Sequence, residues 1–141
     1  MKIYNTYSRQ LEDFQPIEPG KVKMYVCGPT VYNYIHVGNA RSVVAFDLVR
    51  KYLEFRGFEV QYISNFTDVD DKIINGAKAA NMTTTAFSER YIAAFYEDTD
   101  ALNVKRASQN PKATEFIEAM IEFIQELVDK EFAYVSQGDV Y

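Results

Sequence analysis

The only cysteine and the only histidine of the chain, Cys27 and His36, lie nine positions apart. A cysteine thiolate can serve as a nucleophile or a soft metal ligand, and an imidazole can exchange a proton near neutral pH. Cys27 ends a β-rich run that breaks at Gly28-Pro29, and His36 stands directly before a helical pattern. Because nucleotide phosphates bind where a strand leads through a loop to a helix N-terminus, this arrangement predicts that both side chains border one pocket.

The run His36-Val37-Gly38-Asn39 places two hydrogen-bonding side chains three positions apart at the start of that helix. Residues at this spacing lie nearly one above the other, so His36 and Asn39 could both donate to a triphosphate as charge develops at its α-phosphorus. Gly38 would let a ligand approach the backbone, whose free N–H groups favour phosphate. The alternative, equally favoured by the spacing alone, is that His36 and Asn39 only cap the helix.

Cys27 also has two interpretations. A structural zinc site needs four ligands, so a single cysteine could supply only one of them, with the others outside these residues. From composition alone, the favoured alternative is a small apolar residue buried at the end of a strand.

Three carboxylates follow the second predicted strand within four residues, at Asp68, Asp70 and Asp71. Such a cluster could hold Mg²⁺. Aspartate before a helix more often caps it and complements its dipole, and capping is the favoured interpretation here. Thr67 would then lie at the carboxyl end of the strand, where ligands collect.

The spacing of apolar residues predicts a βαβ unit over about 22–66. It consists of strands at 22–26 and 59–66, joined by a helix over 37–55 that ends at Gly57, and a connection of this length makes the strands parallel. Two apolar stripes predict the buried face of the helix, with charged residues mostly opposite. The stripes are Val37, Ala40, Val44, Leu48 and Tyr52, then Ala45, Val49 and Leu53; the charged residues are Arg41, Asp47, Arg50, Lys51 and Glu54.

The remaining segments predict a mostly helical region over about 70–130 and short strands at both ends. In chain order these are a strand and loop over 3–14, a helix over 70–80, a helix over 83–102 with an N-cap from Thr83-Thr84-Thr85, a helix from Pro111 capped by Asn110, and a hairpin over 132–141. The fold class is therefore α/β. Because the hairpin stops inside its second arm and a two-stranded parallel sheet is small, we expect the N-terminal piece of a longer, truncated domain.

Composition limits the classes of function. A formal charge of −5 and a pI near 4.9 argue against broad electrostatic binding of nucleic acid, although the basic pair Lys105-Arg106 could touch RNA. No apolar run is long enough to predict a transmembrane helix, and the N-terminus has no signal-peptide pattern, so no membrane partner is expected. A single cysteine allows no internal disulfide, which is typical of a cytoplasmic protein.

Three motifs together resemble the cysteinyl-tRNA synthetase family far more specifically than any one of them alone. They are Tyr25-Val26-Cys27-Gly28-Pro29-Thr30-Val31-Tyr32, His36-Val37-Gly38-Asn39-Ala40-Arg41 and Asn65-Phe66-Thr67-Asp68-Val69-Asp70-Asp71-Lys72. The opening Tyr4-Asn5-Thr6 and Arg9-Gln10, and the closing Gly138-Asp139-Val140-Tyr141, are similar too. The resemblance covers the whole chain in register.

This resemblance implies the N-terminal part of a Rossmann-type class I aminoacyl-tRNA synthetase catalytic domain. The full-length enzyme would join L-cysteine to ATP, with Mg²⁺, as cysteinyl-adenylate and pass the cysteine to tRNA(Cys). His36 to Asn39 match the HIGH signature that stabilises the ATP phosphates and imply catalytic roles for His36 and Asn39. Asparagine in place of the second histidine removes a titratable group but keeps a donor. Gly28, Pro29 and Gly38 would complete this part of the ATP site.

The resemblance also implies a cysteine pocket. Cys27 matches the first ligand of a Zn²⁺ ion that binds the substrate thiolate, which would discriminate against serine because a hydroxyl is a poor zinc ligand. Gly28, Thr30 and Thr67 would line the same pocket.

The family's other zinc ligands, its KMSKS loop and its anticodon-binding elements have no counterpart in these residues. We therefore expect this polypeptide alone to be inactive, and we expect a monomer. Two alternatives stay open: a related ligase that passes cysteine to an amino sugar, and a short non-catalytic paralogue that keeps a nucleotide-binding module.

Overall fold

The structure is a computed structural model that describes residues 1–141. In chain order its elements are β1 (Lys2–Asn5), β2 (Gln10–Asp13), β3 (Lys21–Val26), α1 (Val37–Phe55), β4 (Glu59–Ser64), α2 (Asp71–Ala79), α3 (Thr84–Ala101), α4 (Ile117–Asp129), β5 (Val135–Ser136) and β6 (Asp139–Val140). A 3₁₀ turn at Ala113–Phe116 leads into α4.

The predicted parallel βαβ unit is confirmed. Strands β3 and β4 pair in parallel, with Val26 opposite Ser64 at their carboxyl ends. Helix α1 joins them over the predicted residues, with His36 as its N-cap. It ends before Gly57, whose φ of 88° is a left-handed value that glycine adopts at little cost.

Helices α2 and α3 begin at the predicted caps. The Asp70 carboxylate accepts the Lys72 N–H at 2.8 Å, and the Thr83 hydroxyl oxygen accepts the Ala86 N–H at 3.1 Å. Each cap satisfies one of the backbone donors that the first turn of a helix leaves without a partner, which explains why these helices start where they do.

The outer edge of β4 is covered by an extended segment, residues 108–113. The Ser64 N–H donates to the Gln109 carbonyl at 3.2 Å, and the Phe66 N–H donates to the Pro111 carbonyl at 2.8 Å. This segment therefore satisfies backbone groups that a bare edge strand would leave to solvent.

Because of that pairing, the prediction that Asn110 caps a helix beginning at Pro111 is wrong. Its side-chain amide donates to the Ser64 carbonyl at 2.6 Å, and its side-chain oxygen accepts the Tyr96 hydroxyl at 3.0 Å. The α-helix starts only at Ile117. The same side chain that could have capped a helix is used instead to hold a loop on the sheet.

The core consists of two small clusters of buried apolar residues. The first, between α1 and the sheet, is Val22, Leu53, Val60 and Tyr62. The second, where the loop after β3 meets α2 and α3, is Val31, Phe66, Ile73, Ala77, Phe87, Ile92 and Phe95. Val31 is only 2% exposed, so it anchors the loop that follows Cys27 in the second cluster.

The predicted orientation of α1 is partly wrong. Asp47 and Arg50, which were expected on the solvent side, are 6% and 5% exposed, whereas the stripe residues Val37 and Leu48 are 74% and 67% exposed. Leu53, from the second stripe, is buried as predicted. Apolar periodicity therefore located the helix correctly but assigned part of its buried face to the wrong side.

The inversion is explained by residues 103–107, which lie across α1. The Arg50 guanidinium donates to the carbonyls of Lys105 and Arg106 at 3.4 and 2.7 Å and lies over the Tyr62 ring. Asp47 accepts the Lys105 N–H at 3.1 Å. A buried charge is tolerated only when its hydrogen bonds are satisfied, and this loop satisfies both side chains.

Replacing Arg50 by alanine should lower the free energy of unfolding by about 2–4 kcal/mol, because it removes a buried guanidinium together with the hydrogen bonds that it donates to the Lys105 and Arg106 carbonyls. The matched control is Arg41→Ala on the same helix, which removes an exposed arginine and should cost less than about 0.5 kcal/mol. Urea unfolding of both variants measures the difference. Equal stabilities for the two variants would contradict the assigned role of Arg50.

Glu54 predicts a pH dependence of the same region. Hydrogen bonds from the Lys105 ammonium, at 2.8 and 3.0 Å, hold the pKa of Glu54 below its ordinary value of 4.5. A carboxyl whose pKa falls on folding stabilises the folded state above its unfolded pKa, and this contribution disappears as the pH drops through the folded pKa. The free energy of unfolding should therefore decrease below a pH of about 4.5, and Glu54→Gln should flatten that decrease. Parallel pH curves from urea titrations would refute this role.

The two ends of the chain form hairpins. The N-terminal strand and loop predicted over 3–14 is instead an antiparallel pair, β1 with β2. The Asn5 side chain accepts the Tyr7 N–H at 3.0 Å, and Arg9 turns the chain with φ at 57°. At the C-terminus, β5 and β6 pair as the predicted hairpin. None of the helices combines the length and apolar character needed to cross a membrane.

Candidate active site

The loop after β3 is fixed to the residues that follow β4. The Val31 N–H donates to the Thr67 carbonyl and the Thr67 N–H donates to the Pro29 carbonyl, both at 3.1 Å. Thr30 and Thr67 consequently lie side by side in a parallel bridge, and both are half-buried. The structure thus brings together the two threonines that were predicted to share a pocket, from segments 37 positions apart in sequence.

Gly28 lies so close to the neighbouring segment that no larger residue fits. A Cβ atom there would stand 1.7 Å from the Asn65 carbonyl oxygen, and the Gly28 N–H donates to the Asn65 side-chain oxygen at 2.9 Å. The need for glycine at this position therefore has a packing cause, in addition to the ligand contact predicted for it.

Cys27 is exposed, so its interpretation as a small buried residue is wrong. Its neighbour Val26 ends β3, and the chain leaves the sheet there. A cavity of about 260 Å³ opens beside it, between the carboxyl ends of the strands, α1 and α3. Five of the residues predicted for the site border this cavity: Cys27, Gly28, Pro29, Gly38 and Asn39. His36, Thr30 and Thr67 lie outside its lining.

His36 is the N-cap of α1 and is exposed. Its Nδ1 atom accepts the Gly38 N–H at 3.2 Å, so the capping interpretation is confirmed. Because Nδ1 is the acceptor, this hydrogen bond assigns the proton of the neutral ring to Nε2. Capping thus occupies only Nδ1 of His36, and the phosphate contact stays a prediction.

Asn39 is exposed. The first turn of α1 contains no acidic residue, so the positive end of the helix dipole is not neutralised by the chain itself. The start of α1 can therefore receive an anion from solvent.

The donor set of these residues does not complete a metal site. No three histidine, cysteine, aspartate or glutamate side chains lie close enough to hold an ion. Zinc takes four protein ligands in structural sites and at least three in catalytic ones. Cys27 could contribute one exposed sulfur ligand, and the others would have to come from outside residues 1–141.

The carboxylates after β4 serve the fold. Asp70 caps α2, as predicted. Asp68 is buried and accepts both the backbone N–H and the hydroxyl of Thr114, at 3.0 and 2.5 Å, which fixes the start of the 3₁₀ turn. Both side chains are therefore engaged by hydrogen bonds that explain their positions without a cation.

Charged and titratable groups on the far side of the cavity are paired. Arg106 binds Asp100 and lies over the ring of Tyr96, while Lys105 binds Glu54. Burial raises the pKa of Tyr96, so that its hydroxyl stays protonated and donates to Asn110. The basic pair that could have touched RNA is thus tied to the protein by ion pairs.

Comparison with known families decides the assignment. The family model described as tRNA synthetases class I (C) catalytic domain matches residues 13–141. This chain belongs to that family. The class I synthetase assignment agrees with a parallel α/β unit whose candidate site lies at the carboxyl ends of its strands.

Two curated relatives of this class I synthetase chain are named cysteine–tRNA ligase. The chain is 99% identical over all 141 residues to the cysteine–tRNA ligase of Lactococcus lactis subsp. lactis strain IL1403, of which it covers 32%. It is 60% identical to a cysteine–tRNA ligase of Latilactobacillus sakei subsp. sakei strain 23K, of which it covers 30%. The chain therefore spans about a third of the length of the relatives that it matches.

Solved structures show the same fold. A Mycobacterium tuberculosis methionyl-tRNA synthetase in complex with methionyl-adenylate superimposes with a TM-score of 0.73 at 20% identity, over 81% of this chain and 23% of that one. A ternary LeuRS–tRNA–LeuAMS complex of Agrobacterium radiobacter K84 agnB2 matches with a TM-score of 0.67 at 20% identity. The match covers 86% of this chain and 16% of that one. The predicted class I synthetase fold is confirmed by these similarities.

Sequence reasoning quoted Asn65 within a motif but gave it no role. In the structure its side chain contacts both segments of the candidate site. Asn110 was predicted only as a helix cap, but in the structure it borders the cavity. Asn65 fell inside the strand predicted over 59–66, whereas β4 ends at Ser64, so the sequence did not place Asn65 at the strand end, where site residues collect.

Proposed function

We propose that residues 1–141 are the N-terminal part of the catalytic domain of a cysteine–tRNA ligase, and that they hold ATP and L-cysteine. The observation that carries this proposal is the cavity in which Cys27, Gly28 and Pro29 face Gly38 and Asn39 at the start of α1. It supports a site where an amino acid and a nucleotide phosphate would meet. The names of the curated relatives support the choice of cysteine and tRNA.

The reaction would proceed in two steps. A carboxylate oxygen of L-cysteine attacks the α-phosphorus of ATP, the bond to the β-phosphate oxygen breaks, and pyrophosphate leaves. A hydroxyl of the terminal adenosine of tRNA(Cys) then attacks the carbonyl carbon of cysteinyl-adenylate and loses its proton, the bond from that carbon to the phosphate oxygen breaks, and AMP leaves. Both steps move negative charge, which oriented hydrogen-bond donors stabilise.

His36 and Asn39 would supply such donors to ATP. With Nδ1 occupied by the Gly38 N–H, the His36 ring offers its Nε2 proton to a phosphate oxygen. The exposed Asn39 amide lies one turn along the same helix and offers a second donor. Gly38 would let the nucleotide approach the backbone closely, and Gly28 and Pro29 would border the same site.

The cysteine side chain would be recognised by the loop after β3. Exposed Cys27 and Gly28 border the cavity, and the bridged pair Thr30 and Thr67, which lies outside its lining, would complete the cysteine pocket. Two half-buried hydroxyls beside a small loop suit a short polar substrate.

Two metal ions belong to this proposal. Zinc, when bound, would supply a soft Lewis acid for the substrate thiol, with Cys27 as one ligand and the remaining ligands outside these residues. Mg²⁺ would accompany the ATP phosphates.

We also propose that the protein is a cytoplasmic monomer. A chain with one exposed thiol and no disulfide suits a reducing compartment.

The test uses a full-length hybrid, in which residues 1–141 replace the matching segment of the Lactococcus lactis relative. Cysteine should drive exchange of labelled pyrophosphate into ATP, and serine should not; residues 1–141 alone should show no exchange. Charging of tRNA(Cys) should follow. Exchange without charging would favour the amino-sugar ligase, and a hybrid without cysteine-dependent exchange would overturn the proposal.

A further inference from the structure

We propose that Asn65 is a positioning residue that sets the geometry of the cysteine pocket, an inference that rests on the proposed function. The two walls of that pocket come from different segments, the loop with Cys27 and Thr30 and the residues after β4 with Thr67. Asn65 belongs to the second segment, directly after β4, is half-buried, and reaches the first segment with its side chain.

The side chain of Asn65 hydrogen-bonds to both segments. Its oxygen accepts the Gly28 N–H at 2.9 Å and the Tyr25 hydroxyl at 3.0 Å. Its amide nitrogen donates to the Thr67 hydroxyl oxygen in a longer contact of 3.4 Å. Of the side-chain hydrogen bonds in this structure, only the one from the Gly28 N–H to Asn65 joins the loop after β3 to the residues after β4; the Tyr25 bond reaches β3 itself, and the Thr67 contact lies within the second segment.

These bonds act on functional groups at both ends. The Gly28 N–H belongs to the peptide unit that follows Cys27, so fixing it fixes the direction in which the Cys27 side chain leaves the backbone. The contact with Thr67 occupies a lone pair of its hydroxyl, which leaves the hydroxyl proton free to face a substrate. An amide can do both at once because it carries an acceptor and two donors.

The fold itself does not depend on this side chain. The backbone bonds between Val31, Thr67 and Pro29 hold the two segments together independently, and Val31 and Phe66 are buried in the second core cluster. Loss of the Asn65 side chain should therefore loosen the Cys27–Gly28 peptide and the Thr67 hydroxyl while the domain stays folded.

Steady-state pyrophosphate exchange by the full-length hybrid tests this inference. Asn65→Ala should raise KM for cysteine about tenfold or more, because one or two modest hydrogen bonds are lost at the cysteine pocket. KM for ATP should change less than about threefold, because the ATP site keeps its contacts. Asn65→Asp keeps an acceptor for the Gly28 N–H and should recover most of the cysteine affinity. The matched control is Asn75→Ala, an exposed asparagine of α2, which should leave both constants unchanged.

Hydrogen exchange of the peptide containing Gly28 gives a readout that does not need turnover. In the Asn65→Ala hybrid the Gly28 amide should exchange at least about tenfold faster than in the wild-type hybrid. Tyr25→Phe is a milder variant, in which the Gly28 amide should exchange only a little faster. An unchanged KM for cysteine, an equal change of both KM values, a fall in kcat alone, or unchanged Gly28 exchange would overturn the role of Asn65. A wild-type hybrid without cysteine-dependent exchange would instead overturn the proposed function.

Discussion

Alanine in place of His36 should slow formation of cysteinyl-adenylate in the full-length hybrid by about a hundredfold or more, the usual cost of losing one transition-state donor. The Nε2 proton of His36 is the group lost, because Nδ1 already serves the helix. Single-turnover adenylate formation measures the effect. We expect KM for cysteine to change little, since His36 lies outside the wall formed by Thr30 and Thr67.

The capping role of His36 requires its own control, since alanine also removes the hydrogen bond to the Gly38 N–H. Asparagine is a strong N-cap, and its side-chain oxygen can accept that N–H. His36→Asn should therefore keep the stability of α1 but still lose most of the rate. If His36→Asn adenylates at the wild-type rate, His36 is a helix cap and nothing more.

Serine in place of Cys27 should reduce zinc content and cysteine affinity together in the full-length hybrid. A hydroxyl is a poor substitute for a thiolate ligand. We expect KM for cysteine to rise by about a hundredfold or more, because losing a metal ligand should cost more than losing a residue that only hydrogen-bonds to a ligand. Because Cys27 is exposed and outside both core clusters, the fold should be unaffected.

Cys27→His is the informative companion variant, because imidazole is also a good zinc ligand but differs in length and direction. It should retain more zinc than Cys27→Ser while still binding cysteine poorly. Metal analysis of the purified hybrids and exchange kinetics check both statements. Full zinc content with an unchanged KM for cysteine in Cys27→Ser would remove Cys27 from the site.

The features that local patterns control were predictable. The bounds of α1, the caps Asp70 and Thr83, and the parallel pairing of β3 with β4 all depend on spacing and on residue types within a few positions. The strand pattern placed Thr67 at the carboxyl end of β4, and the family resemblance implied that it shares a pocket with Thr30; the structure joins the two in a parallel bridge.

Features controlled by distant segments were not predictable. Asp47 and Arg50 are buried only because residues 103–107 lie across them, more than fifty positions later in the chain. Asn110 is taken from its expected helix by the Ser64 carbonyl, 46 positions earlier. In each case a polar side chain had a plausible local use, and a tertiary hydrogen bond prevailed over it.

The burial of Cys27 was misjudged for a related reason. Cysteine is among the residues most often buried, so composition favours the interior. Here the chain leaves the sheet at Val26, and the close approach of Gly28 to Asn65 directs the loop along the edge of the cavity. No pattern in the sequence reports that contact.

The central claim is that Cys27 and the start of α1 hold two ends of one cysteinyl-adenylate. A crystal structure of the full-length hybrid with a non-hydrolysable cysteinyl-adenylate analogue tests it most directly. We expect the phosphate mimic within hydrogen-bonding distance of His36 Nε2 or the Asn39 amide, and the analogue's thiol beside Cys27, between Thr30 and Thr67. An analogue bound away from the loop after β3, or turned so that its thiol lies far from Cys27, would contradict the claim.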